Sequence, residues 1–383
     1  MKVWVIGRHY PALNNRMRGS FEIEQAKMLA RGGYDVTYIA VVFHPYKKIR
    51  NWGFATWKED GVRICSYSQA FFPERMNVQL NGFRKRIFCK ALKETEKAHG
   101  LPDIIHIHYP AMTLGSEIVL DYINRGCGVV CTEHWSAVLN KTLSDSQIKR
   151  LKEYVSKADA FICVSNALAK AVSETTETNR EIDIVPNVVE NIFATKIHEK
   201  NKVFTYVVVG RLVQIKRVDR IIAAFARVQK IVDSKLLIVG NGEEYDSLRN
   251  MVSSQGLTGK VDFTGTVARQ AVCDYLSKAD CLICFSEIET FGATVMEAWA
   301  CGIPAICSNT AGICSYWRPW LGYQVDPDRT EDLVQRMIDI VHDNYDKEKI
   351  AQYAHEQFSE EVVSKKIGLI YERVKYKGRQ SGI

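Results

Sequence analysis

The sequence predicts an α/β protein built from two open parallel sheets. Short runs rich in β-branched residues alternate with longer helix-like stretches, a rhythm typical of repeated strand–helix–strand units. The rhythm starts afresh near residue 205, which indicates a second sheet. The length of 383 residues, with 46% hydrophobic and 25% charged residues, suits a globular chain of two or three domains.

Seven strands are predicted in the first domain, which we place at residues 1–190. The opening segment Met1-Lys2-Val3-Trp4-Val5-Ile6-Gly7 is typical of a first strand and not of a signal peptide. The predicted strands lie near residues 2–7, 34–42, 61–67, 103–107, 128–132, 159–164 and 182–185.

The second domain is predicted to span residues 202–357, after a polar linker at about 190–202. A helix over about residues 358–376 is expected to pack back on the first domain and tie the two together. The strands of the second domain are predicted near residues 205–210, 236–240, 261–265, 281–285 and 304–307.

The composition limits where in the cell this protein is expected and which kinds of partner it is expected to bind. The eleven cysteines scatter singly through apolar stretches, which favours a reduced cytoplasmic protein. No apolar run approaches the roughly 20 residues that span a bilayer. Residues 1–200 hold 28 Lys and Arg against 21 Asp and Glu, so the whole net charge of +7 lies there. This asymmetry indicates an anionic membrane surface or a phosphate-bearing acceptor, and no nucleic-acid-binding signature accompanies it.

Two carboxylates, Glu289 and Glu297, stand eight residues apart where a strand-like segment opens into a helix-like one. The first falls in a loop at the carboxyl edge of a parallel sheet, where open α/β sheets bind ligands. The second falls about one turn inside the helix, and helical side chains lean back toward the helix start. Both are therefore expected to reach one ligand that carries vicinal hydroxyls and phosphate, such as a sugar nucleotide.

A pair of cations, Arg211 and Lys216, follows the first strand of the second half. The pair is expected at the same sheet edge as Glu289. An arginine fork and a lysine point charge together suit a pyrophosphate leaving group. The alternative, a solvated Arg/Lys pair in an ordinary loop, is disfavoured because Glu289 and Glu297 stand at matching sheet positions.

The second half of the sequence carries three ordered motifs: Gly210-Arg211-Leu212 with Lys216, Gly240-Asn241-Gly242-Glu243, and Glu289-x-Phe291-Gly292-x4-Glu297-Ala298. In this order they resemble glycosyltransferase family 4, a retaining family with the GT-B fold. The first domain adds His106-Ile107-His108, Thr132-Glu133-His134 and Val185-Pro186-Asn187-Val188-Val189-Glu190 to the likeness. The resemblance implies two Rossmann-like parallel-sheet domains that face each other across a cleft, the first on the acceptor side and the second binding the donor.

The resemblance also assigns roles to positions of this chain. Glu289 would hold hydroxyls of the donor sugar, Glu297 would bind the ribose diol, and His134 would face the donor sugar across the cleft. Arg211 and Lys216 would neutralise the departing diphosphate. The remaining donor-binding positions are Gly210, Gly265 and Val267, the last two beside the nucleobase, Phe291, and the backbone N–H groups of Gly292, Ala293, Thr294 and Val295.

The expected mechanism follows from these roles. Fixed cations at the phosphate are complementary to the charge that develops as the glycosyl phosphate bond breaks, so neither a metal nor another cofactor is expected. In the family that the sequence resembles, the acceptor hydroxyl attacks the face of the sugar that the phosphate leaves, and a phosphate oxygen takes the proton of that hydroxyl. No protein side chain then needs to act as nucleophile.

Three other patterns favour structural interpretations. His106, His108 and His134 suggest zinc, but no further Cys or acid at ligand spacing completes a set, so a packed or hydrogen-bonded His106 is preferred. Cys281 and Cys284 imitate a redox pair, yet they lie in an apolar strand where core packing is expected. Asp326-Pro327-Asp328 imitates a metal-binding Asp-x-Asp and is better explained as a turn before a helix.

Three further segments add to these expectations. Gly19 lies where the family has a glycine-rich acceptor-side loop, although this chain lacks the paired glycines. Lys216 is followed by Arg217, where relatives often carry glycine. The stretch from Leu80 to Lys97 is predicted as a helix with Leu80, Phe83, Ile87 and Ala91 on one side; a solvated domain helix is favoured over a membrane-surface helix.

Together these observations predict a retaining, metal-independent hexosyltransferase that moves a sugar from a nucleoside diphosphate donor to a glycan or lipid-diphosphate-linked acceptor. Surface-polysaccharide assembly, in the cytoplasm or at the inner face of its membrane, is the role that the resemblance implies. The alternatives are a non-catalytic nucleotide-sugar-binding subunit and a GT-B nucleotide-sugar epimerase.

Overall fold

A computed structural model describes residues 1–10, 20–45, 53–71, 77–112, 117–194 and 201–380. The chain divides into two compact units. Unit 1 comprises Met1–Val188 and Glu360–Ile383, and unit 2 comprises Val189–Ser359. Gly19 lies outside the described residues.

Unit 1 contains an eight-stranded sheet with the order β3-β4-β2-β1-β5-β6-β7-β8. Its central strands are buried on both faces, as helix-covered parallel strands should be. The strands are β1 (Lys2–Gly7), β2 (Asp35–Pro45), β3 (Gly53–Glu59), β4 (Val62–Phe71), β5 (Ile104–His108), β6 (Gly128–Glu133), β7 (Ala160–Cys163) and β8 (Asp183–Ile184).

Strand β3 corrects the expectation of a wholly parallel sheet. It pairs antiparallel with β4 through a tight hairpin. Asp60 and Gly61 at the turn have φ of 46° and 84°, as a two-residue type I′ turn requires. The Asp-Gly pair was therefore an available signal, but this edge strand is partly exposed and its apolar pattern is weak.

Helices cover this sheet. The C-terminal one, α14, packs Val363, Ile367 and Tyr371 into the core of unit 1. It begins at Glu360 and not at 358 as predicted, because Phe358 ends the preceding helix and Ser359 has extended backbone. The helices of unit 1 are α1 (Ser20–Arg31), α2 (Asn77–His99), α3 (Glu117–Asn124), α4 (Ser136–Leu139), α5 (Asp145–Lys157), α6 (Asn166–Thr176) and α14 (Glu360–Gln380).

Helix α2 covers the predicted 80–97 segment. Ile87 and Ala91 pack against Tyr67 of the sheet, as expected for its apolar side. Phe83 differs from the expectation, because 38% of it is exposed. None of the described helices is long and apolar enough to cross a membrane.

Unit 2 contains a six-stranded parallel sheet with the order β11-β10-β9-β12-β13-β14. Strand β14 was not predicted, because its Gly-Tyr-Gln-Val sequence is not a continuous apolar run and only its first and last residues are buried. Its Gly322 has a φ of 129°, and a Cβ there would lie 2.1 Å from the Ala305 carbonyl oxygen. The strands are β9 (Phe204–Val209), β10 (Ser234–Val239), β11 (Val261–Gly265), β12 (Cys281–Cys284), β13 (Ala305–Ser308) and β14 (Gly322–Val325).

The predicted linker belongs in part to unit 2. A 3₁₀ turn at Asn191–Phe193 buries Phe193 almost completely, because the chain has already joined this unit at Val189. The helices of unit 2 are α7 (Val218–Val228), α8 (Tyr245–Ser254), α9 (Arg269–Lys278), α10 (Ala293–Ala300), α11 (Ala311–Cys314), α12 (Thr330–His342) and α13 (Lys347–Phe358).

The strand order of unit 2 locates a ligand site. Strand β9 is the first of the sheet along the chain, with β10 on one side and β12 on the other, so the order reverses between β9 and β12. Open α/β sheets bind ligands outside the carboxyl ends of the strands at such a switch point. The loops after β9 and β12 carry Lys216 and Glu289.

Candidate functional site

Lys216 and Glu289 meet at this switch point. Lys216 ends a 3₁₀ turn after β9, and its Nζ donates to Glu289 Oε1 in the loop after β12. The backbone also joins the two loops, since the N–H of Glu287 donates to the Ile215 carbonyl at 2.9 Å. The structure thus brings together one predicted cation and one predicted carboxylate, which lie 73 residues apart in sequence.

Burial and charge act in opposite directions on Lys216. Burial lowers the pKa of this ammonium group, while attraction from Glu289 raises it, and the net pKa is raised. Lys216 is therefore a positive charge at neutral pH. The thiol of Cys284 lies 3.8 Å from Glu289 Oε1, and burial raises the pKa of this cysteine to about 11. It remains a neutral thiol beside the pair.

Arg211 is exposed and pairs with Glu243 at 2.7 Å. Arg211 lies in the loop after β9, and glycines allow the neighbouring loop to pack closely against it. A Cβ at Gly240 would lie 1.8 Å from the Gly210 carbonyl oxygen, and one at Gly242 would lie 2.1 Å from that of Leu212. The second predicted motif thus has a physical role: its glycines let the loop after β10 pack directly on the loop after β9.

The start of α10 follows Gly292, which has a φ of 81° and no room for a Cβ beside Ile313. The first N–H groups of a helix have no partner within the helix, so those of Ala293 and Thr294 are available to a ligand. Val295 differs from the prediction, because its N–H already donates to the Gly292 carbonyl at 2.9 Å. Phe291 packs edge-on against Phe358, so any contact it makes with a ligand must involve its backbone.

Glu297 is buried inside α10 and is held by Arg269, which the sequence analysis missed. Arg269 Nη2 lies 2.8 Å from Glu297 Oε1 and 2.7 Å from Glu190 Oε1. Burial raises the pKa of Glu297, and Arg269 opposes that rise. Glu190 belonged to a quoted motif, but nothing in the sequence indicated that Arg269 joins it to Glu297.

The loop after β11 carries the two predicted base-contacting positions. Gly265 has a φ of 68°, and its carbonyl accepts from the N–H of Gly240 at 3.1 Å. Val267 is half-buried and lies two residues before α9 begins at Arg269. Backbone groups of this loop therefore lie at the carboxyl edge of the same sheet.

Arg217 adopts the left-handed conformation, with a φ of 50°, which explains why glycine suits this position. Its side chain compensates: Nη1 lies 3.1 Å from Asp328 Oδ1 and also donates to the Pro327 carbonyl. Arg217 thus holds the loop of Lys216 against the turn after β14. That turn is the predicted one, because Asp326 Oδ1 accepts from the N–H of Asp328 and α12 follows.

The histidines of unit 1 form a buried stack. His106 hydrogen-bonds Tyr371 Oη at 2.7 Å and Thr132 Oγ1 at 2.6 Å, which confirms the hydrogen-bonded interpretation. His108 Nδ1 lies 2.9 Å from His134 Nε2. Burial lowers the pKa of His134 to about 3, with Arg8 contributing, so its imidazole is neutral at physiological pH. A neutral imidazole has one donor and one acceptor nitrogen.

Next to His134, Glu133 is a buried carboxyl group that three backbone N–H groups contact. Those of His134 and Trp135 donate to Oε1 at 2.9 and 3.0 Å, and that of Ala111 to Oε2 at 3.3 Å. Burial raises the pKa of Glu133 to about 7. This carboxyl group fixes the loop in which His134 stands.

The metal-like patterns have structural explanations. Cys281 and Cys284 are both buried in β12, as core packing requires. Within the part of the chain that the structure describes, no group of three His, Cys, Asp or Glu residues is placed to hold a metal ion.

Comparison with known proteins adds two family matches that together span most of the chain. Residues 23–191 match the family model described as Glycosyltransferase Family 4, and residues 189–357 match Glycosyl transferases group 1. N-acetyl-alpha-D-glucosaminyl L-malate synthase of Bacillus anthracis is 26% identical, over 72% of this chain and 74% of its own length. The lipopolysaccharide core biosynthesis glycosyltransferase LpsE of Rhizobium meliloti is also 26% identical, over 57% of this chain and 67% of its own.

Solved structures share the architecture. Sucrose-phosphate synthase from Thermosynechococcus elongatus aligns over 98% of this chain and 100% of its own, with a TM-score of 0.80 at 18% identity. HepE from Anabaena, crystallised with UDP and glucose, aligns over 97% of this chain and 99% of its own, with a TM-score of 0.71 at 16% identity. At these identities the likeness concerns the fold.

Proposed function

Because this chain belongs to glycosyltransferase family 4 and has the GT-B fold, we propose that it transfers a sugar from a nucleoside diphosphate sugar to a glycan or lipid-diphosphate-linked acceptor, with retention of configuration. The observation that carries this proposal is the contact between Lys216 and Glu289 at the switch point of unit 2. A cation for phosphate and a carboxylate for hydroxyls stand side by side where a parallel sheet binds ligands.

Each part of the donor has a matching group. Lys216 and Arg211 face the diphosphate, Glu289 accepts hydrogen bonds from sugar hydroxyls, and Glu297 accepts them from the ribose. The N–H groups of Ala293 and Thr294 supply further donors for phosphate at a helix start. Three more positions complete the donor site through their backbone: Gly210, Gly265 and Val267. The HepE structure contains UDP and glucose, which supports a nucleotide sugar as the donor.

The chemistry rests on leaving-group stabilisation. As the glycosyl phosphate bond breaks, negative charge grows on the diphosphate, and Lys216 is a fixed positive charge in a half-buried position. The acceptor hydroxyl attacks the same face of the sugar, its proton passes to the departing phosphate oxygen, and configuration is retained. No metal is required in this scheme.

His134 is the residue of unit 1 that we assign to the donor sugar. With Nε2 engaged by His108, its buried, neutral imidazole has one nitrogen, Nδ1, left to form a hydrogen bond with a sugar hydroxyl. His108 and the backbone contacts of Glu133 hold it in place. His134 is therefore a candidate for recognising the sugar and not for acid–base catalysis.

For the acceptor, relatives suggest envelope or glycolipid synthesis, since LpsE acts in lipopolysaccharide core biosynthesis. A lipid-linked acceptor would bring the protein to an anionic membrane surface. Helix α2 offers a basic face for this contact, formed by Lys85, Arg86, Lys90, Lys93 and Lys97.

The proposed function is tested by a thermal-shift screen against nucleoside diphosphates and nucleotide sugars. A ligand at 100 times its dissociation constant adds about 2.7 kcal/mol to the free energy of unfolding. We expect at least one nucleotide, and its sugar conjugates, to raise the melting temperature by several degrees. No shift with any of them would contradict the proposal.

The membrane contact is tested separately by vesicle flotation. We expect the protein to float with vesicles containing anionic phosphatidylglycerol, to stay behind with neutral phosphatidylcholine, and to be released by salt, because surface charges are screened. Lys90→Glu with Lys93→Glu should abolish flotation, while Lys149→Glu with Lys152→Glu on α5 serves as the matched control. Binding that is equal on neutral vesicles would contradict the contact.

A further inference from the structure

Among the described residues, only one oxygen of the Glu297 carboxylate has a hydrogen-bond partner. Oε1 accepts from Arg269 Nη2 at 2.8 Å, whereas Oε2 is fully buried and has no hydrogen-bond partner among the described residues. Only 3% of Glu297 is exposed. Buried polar atoms normally have partners, so an orphaned carboxylate oxygen points to a ligand that donates to it.

Arg269 is itself held from two other directions within unit 2. Its Nε donates to Glu190 Oε1 at 2.8 Å, and its guanidinium carbon lies 4.6 Å from the centre of the Phe193 ring. Glu190 caps the start of the short 3₁₀ turn near the beginning of this unit, and Phe193 is the last residue of that turn. The guanidinium is thus fixed between an aromatic face and two carboxylates, and the contact with Glu297 is geometrically defined.

We propose that Arg269, fixed by Glu190, is a positioning residue that holds the Glu297 carboxylate so that Oε2 accepts a hydrogen bond from a ribose hydroxyl of the nucleotide. This inference rests on the proposed function. It adds a pair of residues that touch no substrate, Glu190 and Arg269, to the groups on which nucleotide recognition depends.

The charges around Glu297 also predict a pH dependence of nucleotide binding. Burial raises the pKa of Glu297, Arg269 lowers it, and Glu190 raises it. The thiol of Cys301 also faces this carboxyl group, but burial raises its own pKa to about 12, so it stays neutral. Without the charge of Arg269, the pKa of Glu297 rises further, and nucleotide affinity should fall as the pH is lowered.

The test compares ribose with 2′-deoxyribose. Calorimetry gives the Kd of UDP and of 2′-deoxy-UDP for the wild-type protein and for Arg269→Met, Arg269→Lys and Glu190→Gln. Arg227→Met is the matched control, because Arg227 binds both oxygens of Glu331 in an exposed pair of the same unit. GDP and ADP are measured in the same way with their 2′-deoxy counterparts. The variants are then compared with the nucleotide that the wild-type protein binds most tightly.

We expect wild-type protein and Arg227→Met to prefer the ribonucleotide about tenfold, the effect of one hydrogen bond to a charged group. Arg269→Met should reduce this preference several-fold, and the remaining preference should approach unity as the pH is lowered below neutral, because the Glu297 carboxylate is then protonated. Glu190→Gln and Arg269→Lys should show intermediate preferences.

Two results would overturn the inference: a tenfold preference that survives in Arg269→Met, or an equal loss of affinity for both nucleotides with no change in their ratio. If Arg269→Met does not fold, an unchanged ratio in both Glu190→Gln and Arg269→Lys overturns it as well. Failure of wild-type protein to bind any nucleotide is a different result, and it contradicts the proposed function itself.

Discussion

Replacing Lys216 by Ala is expected to lower kcat for donor cleavage by about 10²- to 10³-fold, the range found when a preorganised charge-stabilising group is removed from an active site. Lys216 is half-buried at the switch point and stays protonated. Its contribution grows as charge develops on the departing diphosphate, so kcat should fall more than KM rises. The rate is measured in excess EDTA, where wild-type activity should be unchanged because the proposed mechanism requires no metal.

The control for this variant is Lys260→Ala. Lys260 is also an ion-paired lysine of unit 2, bonded to Asp233 at 2.7 Å on the surface. We expect it to keep kcat within about twofold, since exposed ion pairs contribute little. A Lys216→Ala protein that folds and retains wild-type kcat would remove this residue from the mechanism.

Replacing Glu289 by Ala is expected to lower kcat/KM by about 10²-fold or more. Each hydrogen bond from a sugar hydroxyl to a carboxylate contributes about 1.5–3 kcal/mol, and the proposed function has Glu289 accept from two hydroxyls. The variant also frees Lys216, so the affinity for the nucleoside diphosphate alone should be unchanged or higher. The Kd of the nucleotide and that of its sugar conjugate, measured side by side, show this split.

Glu331→Ala provides the comparison, because Glu331 is an exposed, ion-paired carboxylate of unit 2. Its two Kd values and its turnover should match those of the wild type. Full turnover in Glu289→Ala, or equal weakening of the nucleotide and the nucleotide sugar, would show that this carboxylate does not recognise the sugar.

Much of the fold was predictable because local patterns determine it. Buried parallel strands such as β7 and β12 are continuous apolar runs, so their positions could be predicted within one or two residues. Edge strands carry less signal: β3 is partly exposed, and β14 is not a continuous apolar run. The first needed its Asp60-Gly61 turn to be recognised, and the second depends on a contact between Gly322 and β13.

The site was predictable where two residues each follow a strand of the same parallel sheet, because the carboxyl ends of these strands share one edge. Lys216 and Glu289 each follow a strand, and two adjacent strands bring them together. Arg269 could not be predicted in this way, because its partners lie 79 and 28 residues away and its own segment is an ordinary helix start. The same holds for His108, whose relation to His134 is a cross-strand contact between side chains.

The most direct test of the central claim follows donor cleavage without knowledge of the acceptor. The nucleotide sugar that gives the largest thermal shift is incubated with the protein in EDTA, and proton NMR records the released sugar and its first-formed anomer. We predict slow release of nucleoside diphosphate, with the anomeric configuration of the donor retained and no release by Lys216→Ala. Binding without any cleavage, or conversion of the donor to an epimer, would contradict the assignment as a retaining glycosyltransferase.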